Sequence, residues 1–153
     1  MEIRAAEFPA HLAVVRALFQ DYAAGLGFDL GFQDFAGELA DLPGKYAPPR
    51  GRLLLAWLGE GVVGCVALRP IDAQTCEMKR LYLRPGLRGS GLGRKLVERI
   101  CTEARQAGYG RICLDTVPQM KSAIALYTHL GFAPVAPYVH NPIAGALFLG
   151  RAL

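Results

Sequence analysis

The sequence predicts a mixed α/β fold with the element order β-α-α-β-β-β-α-β-α-β. Three observations carry that expectation. Apolar residues recur at helical spacing in separate windows, three extended runs follow one another in the middle, and at Leu92 the pattern switches abruptly to a long amphipathic helix. With 153 residues the chain fits a single domain spanning 1–153, long enough to bury a core and too short for two.

"EIRAA" (2–6) alternates as a first strand, and Pro9 suits the entry to a helix. That helix carries Leu12, Val15, Leu18, Phe19 and Tyr22 on one side and is expected to stop near Gly25 or Gly27. A shorter helix around Phe32 to Leu42 ends at "PGKYAPPRG", whose prolines cannot continue it. "RLLLAWL" and "VVGCVALRPI" flank Gly59-Glu60-Gly61 and predict a hairpin, and "CEMKRLYL" adds a third strand to an antiparallel meander. From Leu92 a stripe of Leu92, Leu96, Val97, Ile100, Cys101 and Ala104 faces inward, and Gly108 ends the helix. "RICLDTV" predicts a buried strand, "MKSAIALYTHL" a helix stopped by Gly131, and "AGALFLGRAL" the last strand.

Composition narrows the function. The chain is 52% hydrophobic and 20% charged, the balance of a packed globular protein. Its net charge of +4 comes from basic residues between Lys79 and Arg111, a local field that suits a small anionic ligand. No basic helix interleaved with aromatics and no finger spacing points to nucleic acid. Cys65, Cys76, Cys101 and Cys113 stand singly in apolar runs, without the paired spacing of metal or redox sites, so buried thiols, no metal and a cytoplasmic setting are expected. No apolar run approaches the roughly 20 residues of a membrane span, and no membrane partner is expected.

The densest signal is "RPGLRGSGLGRKL" (84–96), with four glycines and four basic residues at the mouth of the predicted helix. Unpaired amides at a helix start and the macrodipole together favour phosphate. Glycines at 89, 91 and 93 remove side chains that would hold a diphosphate away, and Arg88 adds a charged donor. A plain glycine-rich turn with solvated arginines is the alternative. A Walker loop would need Lys-Ser/Thr at its end, which "GLGRKL" lacks. A dinucleotide-binding fingerprint, with Asp115 as the ribose acid, is the nearer rival, but "GSGLG" has one residue too few and does not follow its strand directly.

The run Arg88-x-x-Gly91-x-Gly93 after "LYL", followed by helix, strand and "ALYTHLGF" at 125–132, resembles the GNAT superfamily of N-acetyltransferases over nearly the whole chain. The tail "PYVHNPIAGALF" is similar to that of small bacterial members. The resemblance implies a mostly antiparallel mixed sheet of about six to seven strands flanked by four helices, and acetyl-CoA as acyl donor. It places the diphosphate on Arg88, Gly89, Ser90, Gly91, Leu92, Gly93 and Arg94, and the pantetheine arm along the backbone of Leu81, Tyr82 and Leu83, where the strand splays from its neighbour. It also implies that Tyr127 faces the sulfur, and it leaves a homodimer open. Many members carry an asparagine seven positions before this tyrosine; here the residue is Met120, with Lys121 and Ser122 as possible substitutes.

An amine of pKa about 10 must lose a proton before it attacks. Glu77, eleven residues before Arg88, matches the glutamate base of histone-acetylating members. Alternation puts it on one side with Lys79 and Leu81 if no bulge intervenes, while a glutamate paired with Lys79 or Arg80 is the structural alternative, and His140 or a water relay the alternative base. Phe32, Arg80, Tyr138, His140 and Asn141 are the candidate acceptor contacts, for a small-molecule primary amine such as an amino acid. A domain that binds acyl-CoA without turning it over is the competing function.

Overall fold

A computed structural model describes all 153 residues. The strands are β1 (Glu2–Ala5), β2 (Arg52–Leu58), β3 (Gly61–Pro70), β4 (Thr75–Leu83), β5 (Arg111–Thr116), β6 (Ala133–Pro134) and β7 (Leu147–Ala152). The helices are α1 (Leu12–Ala24), α2 (Phe35–Asp41), α3 (Leu92–Gln106) and α4 (Lys121–His129). All seven strands join one sheet in the order β1-β2-β3-β4-β5-β7-β6. Only β4 and β5 run parallel, as a strand-helix-strand crossover through α3 requires.

The sheet carries a core on each face. The predicted stripe of α3 is buried whole and packs with Cys76, Met78, Ile112, Leu114 and Tyr127. On the other face Val15, Leu18 and Phe19 of α1 pack with Leu53, Leu55, Cys65 and Ala67. Each such aliphatic or aromatic side chain contributes about 1.5–3 kcal/mol by burial, so both helices are fixed against the strands between them.

Three boundaries differ from expectation. The segment expected as one helix from Phe32 to Leu42 breaks into a single helical turn, Gly31–Gln33, and α2, because Asp34 takes the left-handed conformation at φ 53°. The last strand begins at Leu147, since Gly145 turns the chain at φ 76°. The two-residue β6 has no period for sequence reading to detect.

The feature that matters for function lies in β4. Ala67 of β3 pairs with Lys79 and Cys65 with Tyr82, so two steps along β3 span three along β4. The extra residue makes a bulge at Arg80, whose φ of 60° is in the left-handed region. The bulge inverts the alternation. Glu77 and Lys79 face the α1 and α2 side, but Leu81 and Leu83 pack with the α3 core while Tyr82 packs with the α1 core. The expected shared face of Glu77, Lys79 and Leu81 is thereby corrected. The parallel ladder ends at the same level: β4 and β5 pair only at Thr75/Arg111, Cys76/Ile112 and Glu77/Cys113. Beyond it the two strands part.

Arg80 itself holds the bulge in place. Its side chain is 2% exposed, its Nε and a terminal nitrogen donate to the two carboxylate oxygens of Glu38 at 2.9 Å each, and it lies between the rings of Tyr22 and Phe35. Removing one partner of a buried ion pair strands the other. Glu38→Ala is therefore expected to lower the unfolding free energy by about 3–5 kcal/mol in urea titration; a loss below about 1 kcal/mol, the worth of an exposed pair, would show that water reaches the guanidinium.

Candidate active site

The glycine loop joins β4 to α3. Gly86, Gly89 and Gly91 have φ of 92°, 83° and 83°, and Gly91 caps α3 in the left-handed conformation. Nothing stands within 4 Å of where a Cβ would project at Gly89 or Gly91. The amides of Arg88, Gly89, Gly91, Gly93 and Arg94 donate to no backbone carbonyl, and no acidic side chain occupies the first turn of α3. Free donors, bare backbone and the positive end of a helix dipole thus converge on one spot. Gly93 serves differently: a Cβ there would make ordinary contact with Leu83 and Leu126 at 3.6 and 3.8 Å, so its bareness widens the groove floor.

The neighbouring residues divide by side chain. Ser90 folds its hydroxyl back onto the Leu87 carbonyl and receives the Leu92 amide at 3.4 Å, shaping the loop. Leu92 is buried in the α3 core, so its side chain cannot reach a cofactor. The Arg94 guanidinium pairs with Glu98 at 2.8 Å along the helix, leaving its amide as the donor. Arg88 is exposed and lines the groove.

From this loop a groove of about 580 Å³ runs between Leu81, Tyr82 and Leu83 on β4 and Gln119 to Ala123 before and within α4. The Arg84 amide donates to Val63 of β3 at 2.9 Å, and the Tyr82 carbonyl lies 2.7 Å from where a Gly64 Cβ would stand. Alternation then turns the backbone groups of Leu81 and Leu83 toward the open edge left by β5. Tyr82 lines the groove, packs its side chain against the α1 core and turns its backbone to β3. Met120 sits on the wall where the family resemblance expects an asparagine, with Lys121 and Ser122 lining the same groove.

The groove meets a smaller inner cavity of about 80 Å³, the two sharing Tyr22, Leu26, Leu81, Met120 and Ala123 as walls. Tyr127 lines the inner cavity, its ring packed on Phe132. Burial raises its phenol above the ordinary tyrosine value, so it stays protonated. Phe32, Arg80 and Asn141, expected at the acceptor site, do line this cavity.

Others are placed elsewhere. Glu77, expected as the base, is fully buried: Arg69 Nε donates to Oε1 and the Tyr138 hydroxyl to Oε2, both at 2.8 Å. It lines neither the groove nor the inner cavity, and its oxygens are committed. Tyr138 is held by that same bond, and burial with the adjacent Glu77 charge raises its phenol. His140 is exposed and lines neither cavity. Residues the sequence reading did not assign to the acceptor site include Lys79 and Asp115. Asp115 was visible as a charge at the C-terminal end of a buried strand, and Lys79 as a cation amid apolar strand residues. The thiols carry no chemistry here, since burial raises Cys65 and Cys76 to about 12 and Cys113 to about 11. No helix is long and apolar enough to cross a membrane, and no three His, Cys, Asp or Glu side chains cluster as metal ligands do.

The residues fit a long diphosphate-bearing cofactor, with amide donors at one end, an open strand edge along its length and a phenol near the inner end. A sheet split between parallel neighbours beside such a loop defines an acyl-CoA-dependent N-acetyltransferase. A model of the acetyltransferase (GNAT) family matches residues 14–132, and the chain belongs to that family. It is 40% identical over 151 residues to an uncharacterized N-acetyltransferase of Schizosaccharomyces pombe, covering 97% of this chain and 93% of that one. It is 38% identical to the IAA acetyltransferase of Azospirillum brasilense, covering 97% and 96% respectively. Among solved structures, an acetyltransferase from Streptococcus agalactiae superposes with a TM-score of 0.78 at 30% identity, covering 99% and 98% of the two chains. The dinucleotide-binding alternative falls with this assignment: the loop leaves an antiparallel meander, and only one strand pair is parallel.

The two kinds of glycine predict different outcomes. Gly91→Ala forces an L-residue into the left-handed region and is expected to cost about 1–2 kcal/mol in thermal unfolding. Gly93→Ala fits the helix and should leave stability unchanged or slightly raised, while its methyl narrows the groove and weakens acetyl-CoA binding in titration calorimetry.

Proposed function

We propose that the protein transfers an acetyl group from acetyl-CoA to the primary amine of a small molecule, by direct attack in a ternary complex. The observation that carries this reading is the junction of groove and inner cavity at Leu81, Met120 and Ala123. It lets a donor held on the α3 side meet an acceptor held on the α1 side. A structure of a GNAT-type neighbour from Salmonella typhimurium contains acetyl-CoA; it shares this fold with a TM-score of 0.72 at 24% identity.

When bound, acetyl-CoA supplies the thioester as acyl donor. The free amides of Arg88, Gly89, Gly91, Gly93 and Arg94 would hold the diphosphate, and the open edge at Leu81 and Leu83 would pair with the pantetheine amides as a further strand would. The β4 amide of Leu81 would serve as the oxyanion donor for the thioester carbonyl. Tyr127, on the wall of the inner cavity, would donate a hydrogen bond to the sulfur. A phenol of pKa about 10 is a weaker acid than a thiol of about 8.5, and burial weakens it further, so the bond strengthens with charge on sulfur without full proton transfer. Because Glu77 is committed to Arg69 and Tyr138, the acceptor's proton leaves through water in the open cavity. The small volume around Phe28, Leu30 and Phe32 favours a compact acceptor over a folded protein surface.

Four measurements test this reading. Acetyl-CoA at about 100 times its Kd is expected to add about 2.7 kcal/mol of stability, with no matching shift from NADH; the reverse pattern would refute the donor assignment. A panel of small amines assayed by thiol release should show turnover, whereas tight acetyl-CoA binding with no acceptor at all would leave a sensing domain. Tyr127→Phe is expected to lower kcat by about ten- to hundredfold with little change in acetyl-CoA affinity. Since the phenol titrates above its usual range, wild-type kcat should show no falling limb from this group up to about pH 10.

A further inference from the structure

The inner cavity has one cation more than its pairings consume. The Arg80 charge is matched by the two oxygens of Glu38, with a further 3.0 Å bond to Gln33 Oε1, and Arg69 is held by Glu77. Lys79 is not. Its Nζ donates to Gln33 Oε1 at 2.9 Å and approaches Glu77 Oε1 only to 4.0 Å, an oxygen that Arg69 already occupies. An ammonium has three donors; one goes to Gln33, and Lys79 lines the inner cavity.

Across the parted strands stands Asp115, the one carboxylate lining that cavity. It lies two residues past Cys113, the last position of β5 paired to β4, so alternation gives it the face of Cys113. Its Oδ2 accepts from Asn141 Nδ2 at 3.0 Å, and Asn141 is fixed in turn by its own Oδ1 accepting the Ile143 amide at 3.0 Å. The second oxygen, Oδ1, takes no side chain of the protein. Burial pushes the Lys79 ammonium below its usual value, while Glu77 and Asp115 both act to keep it charged, which places the two groups in one field. Leu26, Phe28, Leu30 and Phe32 form the apolar wall beside them.

We propose that this cavity is a zwitterion site in which Asp115 seats the acceptor's ammonium and Lys79 its carboxylate, making small apolar α-amino acids the acceptor class. The inference rests on the acetyl-transfer reading above and deepens it. Asp115 anchors the nitrogen where the strands divide, next to Leu81 and the thioester position. Lys79 distinguishes an amino acid from a simple amine and repels the second cation of a diamine. Arg80, expected from sequence as the carboxylate contact, already has its charge matched by the bidentate Glu38 carboxylate, whereas Lys79 meets no carboxylate closer than 4.0 Å.

L-leucine and its decarboxylated counterpart, 3-methylbutylamine, titrated into the CoA-saturated protein separate the contributions. Wild type is expected to bind leucine about tenfold or more tightly than the amine, the scale of one charge-assisted contact. Lys79→Met should erase that difference, and Asp115→Asn should weaken both ligands. Equal binding of the two by wild type, binding of neither, or a preference that survives Lys79→Met overturns the zwitterion site. The wild-type comparison alone suffices to do so, whatever the variants do to folding. Failure of acetyl-CoA binding or of turnover with every amine would instead refute the acetyl-transfer reading, so the two outcomes are distinct.

Discussion

The site depends on where β4 stops being an ordinary strand. Up to Glu77 it is paired on both edges, to β3 and to β5; after that the parallel ladder ends, and three residues later, at Arg80, the bulge follows. A parallel pair normally continues as far as both strands last, because each unpaired amide and carbonyl forfeits a hydrogen bond. Here β4 runs six residues beyond its last partner on β5 and β5 runs three beyond its own. Those unpaired edges leave a slot of unused backbone donors and acceptors between the two strands. The bulge adds the second requirement by changing which residues face which side.

Maintaining a left-handed arginine inside a sheet carries a cost of about 1–3 kcal/mol, and the surroundings of Arg80 over-determine it. Two carboxylate oxygens, one amide oxygen and two aromatic rings converge on a single guanidinium. Glu38 comes from α2 and Gln33 from the turn before it, so the same contacts that stabilise the bulge fix the α1–α2 segment over the inner cavity. This couples fold and site: the segment carrying Phe28 and Phe32 is positioned by an interaction on β4, more than 40 residues later. The neighbouring Arg69, Glu77 and Tyr138 unit is similarly closed, joining β3, β4 and the segment before β7. Its role is to hold these elements together, which is why a carboxylate at the position of a familiar base does not reach the acceptor.

Much of this was legible in the sequence, for identifiable reasons. The α3 stripe, the hairpin and the glycine loop are local: periodicity, turn residues and unpaired helix amides act within a few positions. Tyr127 became legible through a resemblance spanning loop and helix together. The bulge was not, because "CEMKRLYL" alternates acceptably in either register and Arg80's left-handed backbone is imposed by partners on α2. The assignment of Glu77 failed for the same reason, since spacing along one strand says nothing about Arg69 and Tyr138 waiting beside it. Asp115 was noticed only for a ribose contact, in a fold the chain does not adopt, and its place in the acceptor cavity follows from the divergence of β4 and β5.

The two faces of the sheet consequently divide the chemistry between them. The α3 and α4 face supplies amides, glycine backbone and the Tyr127 phenol, groups that bind anions and stabilise negative charge on oxygen and sulfur. The α1 and α2 face supplies aromatic walls and balanced buried ions, groups suited to a compact acceptor whose own charges find partners. Had β4 kept its alternation, Leu81 would project toward the acceptor side together with Glu77 and Lys79, and Arg80 would turn into the α3 core with no carboxylate to meet it. The bulge therefore does two things at once: it returns Leu81 and Leu83 to the donor side and keeps both cations on the acceptor side. A single inserted residue in one strand thus sets which side chains each face of the sheet presents around the two cavities.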